Sequence, residues 1–188
     1  MKTRMILVAA PSGAGKSSFV DRVIQELPAL EDVITYTTRP MRHHETQGHP
    51  YHFISDKDFK TKVDEGFFAE WAHVHTSMYG TSFESLKAAW NRDKVVIMDL
   101  DVQGVRTFRK TTPEGLKTIF ILPPSLDELK RRILKRDRVE PADLDVRMKN
   151  AAIEMAEMVH FDFKVVNDDF EKSYQIFKNI IEELLRLK

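Results

Sequence analysis

The eight residues Ala10-Pro11-Ser12-Gly13-Ala14-Gly15-Lys16-Ser17 follow directly on the apolar run Met5-Ile6-Leu7-Val8-Ala9. Their types and order suit the wrapping of a polyphosphate. A loop of this kind must turn its backbone N–H groups inward, and Gly13 and Gly15 supply the backbone freedom and close approach that this needs. A helix opening at Lys16 directs its positive N-terminal end at the same anion. Lys16 reaches the outer phosphates, and the Ser17 hydroxyl is a ligand for Mg²⁺. Ser18 extends the same turn. Residues of these types at this spacing arise by chance in roughly one per cent of chains this long. The competing reading is a glycine-rich strand-to-helix turn with a surface lysine. The apolar strand before it and the helical spacing of Phe19, Val20, Val23 and Ile24 after it favour a nucleotide site.

A second chemical signal is the pair Asp99 and Asp101, closing the apolar run Val95-Val96-Ile97-Met98. Carboxylates at a strand end beside a phosphate loop are placed to hold Mg²⁺, usually through water. Strand alternation sends both acids to the same side. Either acid could instead cap the helix that begins near Gln103. The strongest basic cluster is Arg131-Arg132-Ile133-Leu134-Lys135-Arg136-Asp137-Arg138, which equally describes a solvated helix face. Six of the seven histidines, at 43, 44, 49, 52, 73 and 75, crowd one region. No cysteine joins them and no element carries paired metal-ligand spacing, so they read as exposed loop residues rather than a zinc site.

These groups must be positioned by a fold, and the pattern names its class. Apolar runs alternate with amphipathic stretches along most of the 188 residues, as in a parallel sheet with crossover helices. Strands are expected at 5–9, 33–36, 51–54, 67–75, 95–101, 116–122 and 161–166. Helices are expected at 16–27, from 55 or 56 to 64, up to Asn91, from near 103, from 125 to about 135, at 143–158, and after Asn167-Asp168-Asp169. Met78 to Thr81 reads as a turn. Lys and Arg together number 29, as do Asp and Glu, so no bulk field favours nucleic acid or an anionic membrane. Zero cysteines exclude disulfides and thiol catalysis and fit a reducing compartment. The N-terminal apolar run is too short for a signal peptide or a membrane span. The expectation is one cytoplasmic α/β domain.

In their order and spacing these segments resemble the guanylate kinases over nearly the whole chain. The shared signals begin with Ala10 to Ser17, Thr37-Thr38-Arg39-Pro40 with Arg42 and Glu45, and Gly48-His49-Pro50-Tyr51-His52-Phe53. They continue with Glu70-Trp71-Ala72, Tyr79-Gly80-Thr81, Asp99-Leu100-Asp101-Val102-Gln103-Gly104, Phe120 to Ser125 and Val166-Asn167-Asp168-Asp169. The resemblance implies transfer of the γ-phosphoryl of ATP to GMP with Mg²⁺ as cofactor. It also implies a P-loop NTPase-like parallel-sheet core flanked by helices (1–33, 84–123 and 151–188), a GMP-binding insertion at 34–83 and a lid at 124–150. The implied partners are ATP and GMP, with no nucleic acid and no membrane, in a monomer or homodimer.

The resemblance also distributes roles. Arg39, Arg42, Tyr51 and Tyr79 would grip the GMP phosphate, where guanidinium forks and phenol hydroxyls suit a dianion. Thr35, Glu70, Thr81 and Asp101 would surround the guanine, Thr35 standing where serine is usual. Arg132, Arg136 and Arg147 would close over the ATP phosphates, and Asn167 would contact the adenine side, though Asn-Asp-Asp is also an ordinary helix cap. Lys16, Arg39 and the three lid arginines form the catalytic set. Ser17 and Asp99 would hold Mg²⁺, Asp99 through water. The chain departs from the family pattern at Ala10, at His44 in the Arg-x-Gly-Glu turn, at Met78, and in Arg136-Asp137-Arg138-Val139-Glu140, where glycine often follows the arginine. A scaffold domain of the same family that binds phosphorylated peptides typically lacks the phosphate-loop lysine and the lid arginines, which this chain keeps. A related kinase for another phosphorylated acceptor is disfavoured by Glu70, Tyr79 and Asp101.

Overall fold

The computed structural model describes residues 3–43, 45–74, 76–137 and 143–187. Five strands form a parallel sheet: β1 (Met5–Ala9), β2 (Leu30–Glu31), β7 (Val95–Asp99), β8 (Leu116–Leu122) and β9 (Phe163–Val166), in the order β2-β7-β1-β8-β9. Their near-continuous apolar composition follows from burial on both faces. Alternation divides each strand between two cores. Ile6, Val8, Ile97, Ile119 and Ile121 meet α1 (Lys16–Glu26) and α7 (Phe170–Arg186) on one face. On the other face Met5, Leu7, Val96, Met98 and Phe120 meet α3 (Phe83–Asn91) and α4 (Val102–Thr111). Phe19 of α1 anchors the first face, with ring centroids 5.1 Å from Phe170 and 5.4 Å from Phe177, both edge-on.

A second sheet is built from β3 (Thr35–Thr37), β4 (Tyr51–Phe53), β5 (Phe68–Val74) and β6 (Ser77–Ser82), in the order β4-β3-β6-β5. Helix α2 (Asp56–Asp64) covers it through Phe59, which stacks on Phe68 at 4.6 Å. The stretch Met78 to Thr81, read from the sequence as a turn, lies inside β6 instead. Tyr79 and Gly80 suggested a bend, but six consecutive residues pair with β5 and the real turn falls just before Ser77. Two further helices, α5 (Leu126–Asp137) and α6 (Leu144–Ala156), pack Leu129, Ile133, Leu144 and Ala151 on Ala14 of the phosphate loop. A short 3₁₀ turn at Glu157–His160 ends α6 early, so the helix expected through 158 loses its last residues to a tighter form. Among the described residues, no helix is long and apolar enough to cross a membrane.

Candidate active site

The phosphate loop has the backbone that its glycines foretell: Gly13 and Gly15 both stand at φ +94°. A Cβ on Gly15 would lie 2.7 Å from Asn167 Nδ2, so alanine there is strained by its conformation and displaces the Asn167 amide as well. Asn167 is buried and donates from Nδ2 to the Ala14 carbonyl at 2.8 Å, bracing the loop from the end of β9. Gly15 caps α1 without any side-chain bond and no acid lies in the first turn, leaving amide donors for an anion. Among the described non-glycine residues only Asp93 has positive φ, so Ala10 needs no conformation that a Cβ forbids.

Parallel register brings Val8 level with Asp99, placing the end of β7 beside the loop. Ser17 Oγ donates to Asp99 Oδ2 at 2.8 Å, and Lys16 Nζ lies 3.6 Å from the same oxygen while donating to the Leu100 carbonyl at 3.0 Å. Asp101 serves two purposes at once. Its Oδ1 accepts from Gly104 N at 2.7 Å, capping α4, and its side chain also lines the cleft. That cleft, of about 480 Å³, gathers Lys16, Ser17 and Asp99 at one end with Thr35, Tyr51, Glu70, Tyr79 and Asp101 around the rest. Glu70 and Thr81 sit opposite each other across β5 and β6, and Thr81 Oγ1 donates to Glu70 Oε1 at 3.0 Å. Burial pushes the Glu70 carboxyl up to about 7, the negative charge of Asp101 adding to the rise and the Thr81 hydrogen bonds opposing it.

Among the described residues, the arginines assigned to phosphates do not line that cleft. Arg39 donates from Nη2 to Glu45 Oε1 at 2.7 Å, with its guanidinium 5.5 Å from the Tyr51 ring centre. Arg42 is exposed; its backbone N–H donates to Glu45 Oε2 at 2.7 Å, and its charge acts on the same carboxyl. Arg132 donates to Glu128 at 2.7 Å and reaches the Asp168 carbonyl at 3.3 Å. Arg147 donates to Asp143 at 3.0 Å and shares a separate cavity of about 220 Å³ with Ser12. The side chain of Arg136 lies outside the described residues, as do His44, His75 and the segment 138–142.

Three acids to which the sequence reading gave no role stand in or beside this site, Glu45 among them noted only within the family pattern. Asp21, one turn beyond Ser17 on α1, and Asp32, just after β2, both line the cleft. Burial pushes Asp32 up to about 6 against a hydrogen bond from Val33 N, with Asp99 and Asp21 adding to the rise. Asp21 had a usable signal, four residues after Ser17 on the same helical face. Asp32 had none, because a two-residue strand leaves no periodicity to find. Glu45 is the third. Its side chain is 5 % exposed, and Arg39 first, then the Arg42 amide, hold its carboxyl down at about 2.

A family model described as guanylate kinase matches residues 2–184 of the chain. A guanylate kinase of Bdellovibrio bacteriovorus is 59% identical over 185 residues, covering 98% of this chain and all of that protein. One from Syntrophotalea carbinolica is 39% identical, covering 94% of this chain and 84% of its own. Among solved structures, the guanylate kinase from Anaplasma phagocytophilum superposes with a TM-score of 0.77 at 25% identity, over 97% of this chain and 86% of that one.

Proposed function

This chain belongs to the guanylate kinase family, and from that membership together with its cleft we infer that it transfers the γ-phosphoryl group of ATP to GMP. An oxygen of the GMP phosphate attacks the γ-phosphorus while the bond from that phosphorus to the β–γ bridging oxygen breaks, giving GDP and ADP. The observation that carries the reading is the cleft itself, lined by Lys16, Ser17 and Asp99 together with the buried Glu70 and the half-buried Asp101. Guanine presents N1–H and N2–H₂ donors, which a carboxylate accepts, whereas adenine presents an acceptor at N1. Thr35 adds a hydroxyl to the same wall, Thr81 backs Glu70 from behind it, and Tyr51 and Tyr79 line the cleft where, with Arg39 and Arg42, they would hold the acceptor phosphate.

We assign residues 34–83 to an acceptor-binding insertion, supported by a second sheet drawn entirely from residues 35–82. Residues 124–150 are assigned to a lid whose Arg132, Arg136 and Arg147 would meet the donor phosphates. Ser17 and Asp99 present hard oxygen donors already in contact, which suits Mg²⁺. They would hold it with Asp99 acting through water, and the bound ion would neutralise charge on the phosphoryl oxygens. The cysteine-free composition fits a cytoplasmic setting. Two measurements test the reading. ATP-dependent ADP formation should proceed with GMP and fall steeply with AMP, CMP and UMP. Lys16→Ala should retain its melting temperature and lose roughly 10²-fold or more in turnover, the scale of losing one preorganised charged donor. Near wild-type turnover in that variant would refute the mechanism.

A further inference from the structure

Helix α6 carries Arg147, Asn150, Ala151 and Glu154 at spacings of three and four residues, hence on one face. That face closes two small cavities beside the main cleft. The first, of about 220 Å³, lies against Ser12 of the phosphate loop and Arg147. The second, of about 300 Å³, lies against Asp101 and Arg106. Glu154 and Asn150 border both. The Glu154 side chain is half-buried and makes no hydrogen bond or ion pair among the described residues. Asp101 at the start of α4 and Lys16 at the start of α1 act on its charge, and Asp143, Arg147, Arg106 and Glu157 line the same two cavities. Burial raises its pKa, with Asp101 adding to the rise and the Lys16 ammonium opposing it.

A partly buried carboxylate with no protein donor has acceptor capacity that a ligand can use. Its position says which part of the ligand. Asp101 stands at the base end of the acceptor site, and Lys16, assigned to the outer phosphates of the donor, stands where the acceptor phosphate must meet them. The piece of a nucleotide that joins base to phosphate is the sugar, and the donors on a ribose are its hydroxyls. Arg147, two turns earlier on the same face, is engaged with Asp143, and Arg106 with Glu157. We propose that Glu154 is a specificity-determining residue of the acceptor site, its carboxylate accepting a hydrogen bond from a ribose hydroxyl of bound GMP. This rests on the placement of GMP against Asp101 given above.

The test compares GMP with its 2′-deoxy and 3′-deoxy analogues in the wild-type protein, Glu154→Ala and Glu154→Gln. The wild type should disfavour one deoxy analogue about tenfold in kcat/KM, the scale of one hydrogen bond to a charged group. Glu154→Ala should lose about tenfold on GMP and nothing further on that analogue. Glu154→Gln keeps an amide oxygen as acceptor and should fall between. Equal losses on all three nucleotides, or no loss on GMP, overturn the proposal. So does a loss that instead disappears when 2′-deoxy-ATP or 3′-deoxy-ATP replaces ATP, which would assign the hydroxyl to the donor. Titration calorimetry with the three acceptors reads the same discrimination without turnover. A protein that shows the binding pattern but transfers no phosphoryl group would refute the activity and keep the sugar contact. One that transfers it without the pattern would do the reverse.

Discussion

Glu70 is a carboxyl whose two protonation states are closely matched. Its burial, reinforced by Asp101, raises it to about 7 from an ordinary value of 4.5, although Thr81 donates to it. Because the folded value lies above the unfolded one, the unliganded protein binds the extra proton more tightly and loses stability as pH rises from about 4.5 through about 7. Glu70→Gln should remove that loss, so its melting temperature should gain on the wild type at about pH 8 and not at about pH 4.5. Guanine reverses the balance. Its N1–H and N2–H₂ donate to the carboxylate, so GMP binding should expel a proton near neutrality and strengthen from about pH 6 to about pH 8. Calorimetry in buffers of different ionisation enthalpy counts that proton. Protonated Glu70 can donate to adenine N1, so the kcat/KM preference for GMP over AMP should be narrower at pH 6 than at pH 8, and flat with pH in Glu70→Gln. A preference that is the same at both values would remove Glu70 from reading the base. Glu70 was legible from the sequence only through the family pattern, since one acid beside Trp71 on an extended segment carries no signal of burial by itself.

The turn between β3 and β4 behaves as one device, and Glu45 organises it. One oxygen takes the Arg39 guanidinium and the other takes the Arg42 backbone amide, so a single carboxylate sets both arginines assigned to the acceptor phosphate. Glu45→Ala should raise KM for GMP roughly tenfold or more, the worth of a charge-assisted pair that orients a binding group. KM for ATP and the melting temperature should move little, because the turn lies outside both faces of the parallel sheet. Glu45→Gln still accepts from the Arg42 amide and should be milder; equal effects on both substrates would reduce Glu45 to a structural role. The elements themselves were largely readable in advance. Helix α1 and strands β1 and β8 lie where apolar periodicity and the glycine-rich loop put them, because burial on two faces writes an unmistakable composition. β7 stops at Asp99, two residues short of the expected end, because Asp101 leaves the strand to cap α4. β2 escaped notice at two residues, and β3 falls at 35–37 rather than 33–36 because its partners, not its own side chains, fix its register. β6 was missed for a related reason. Its pairing with β5 decides its conformation, while Tyr79-Gly80-Thr81 alone reads as a bend.

Every described arginine assigned to a phosphate rests against an acid or its turn, and none lines the 480 Å³ cleft. Arg39 with Glu45, Arg132 with Glu128 and Arg147 with Asp143 are local pairs, within six residues of each other. Such pairs hold cations near a site without committing them to it. Bound phosphates would compete for them, since a polyanion offers more acceptor oxygens than one carboxylate. Recruiting them would draw the second sheet and the α5–α6 pair toward each other, because the arginines come from both. That motion would have to precede transfer, since water admitted to an open cleft competes with GMP for the phosphoryl group. The sequence offers an unusually clean way to see it. There is no native cysteine, so cysteines placed at His43 and Lys149, both exposed, are the sole labelling sites. Pulsed spin-label distances should shorten and narrow when GMP and a non-transferable ATP analogue are both present. Either nucleotide alone should shift the distribution less, because each recruits arginines from one side only. Distributions that coincide with and without both nucleotides would mean that the arginines reach the phosphates by side-chain rotation alone, and closure of the two halves would have to be abandoned.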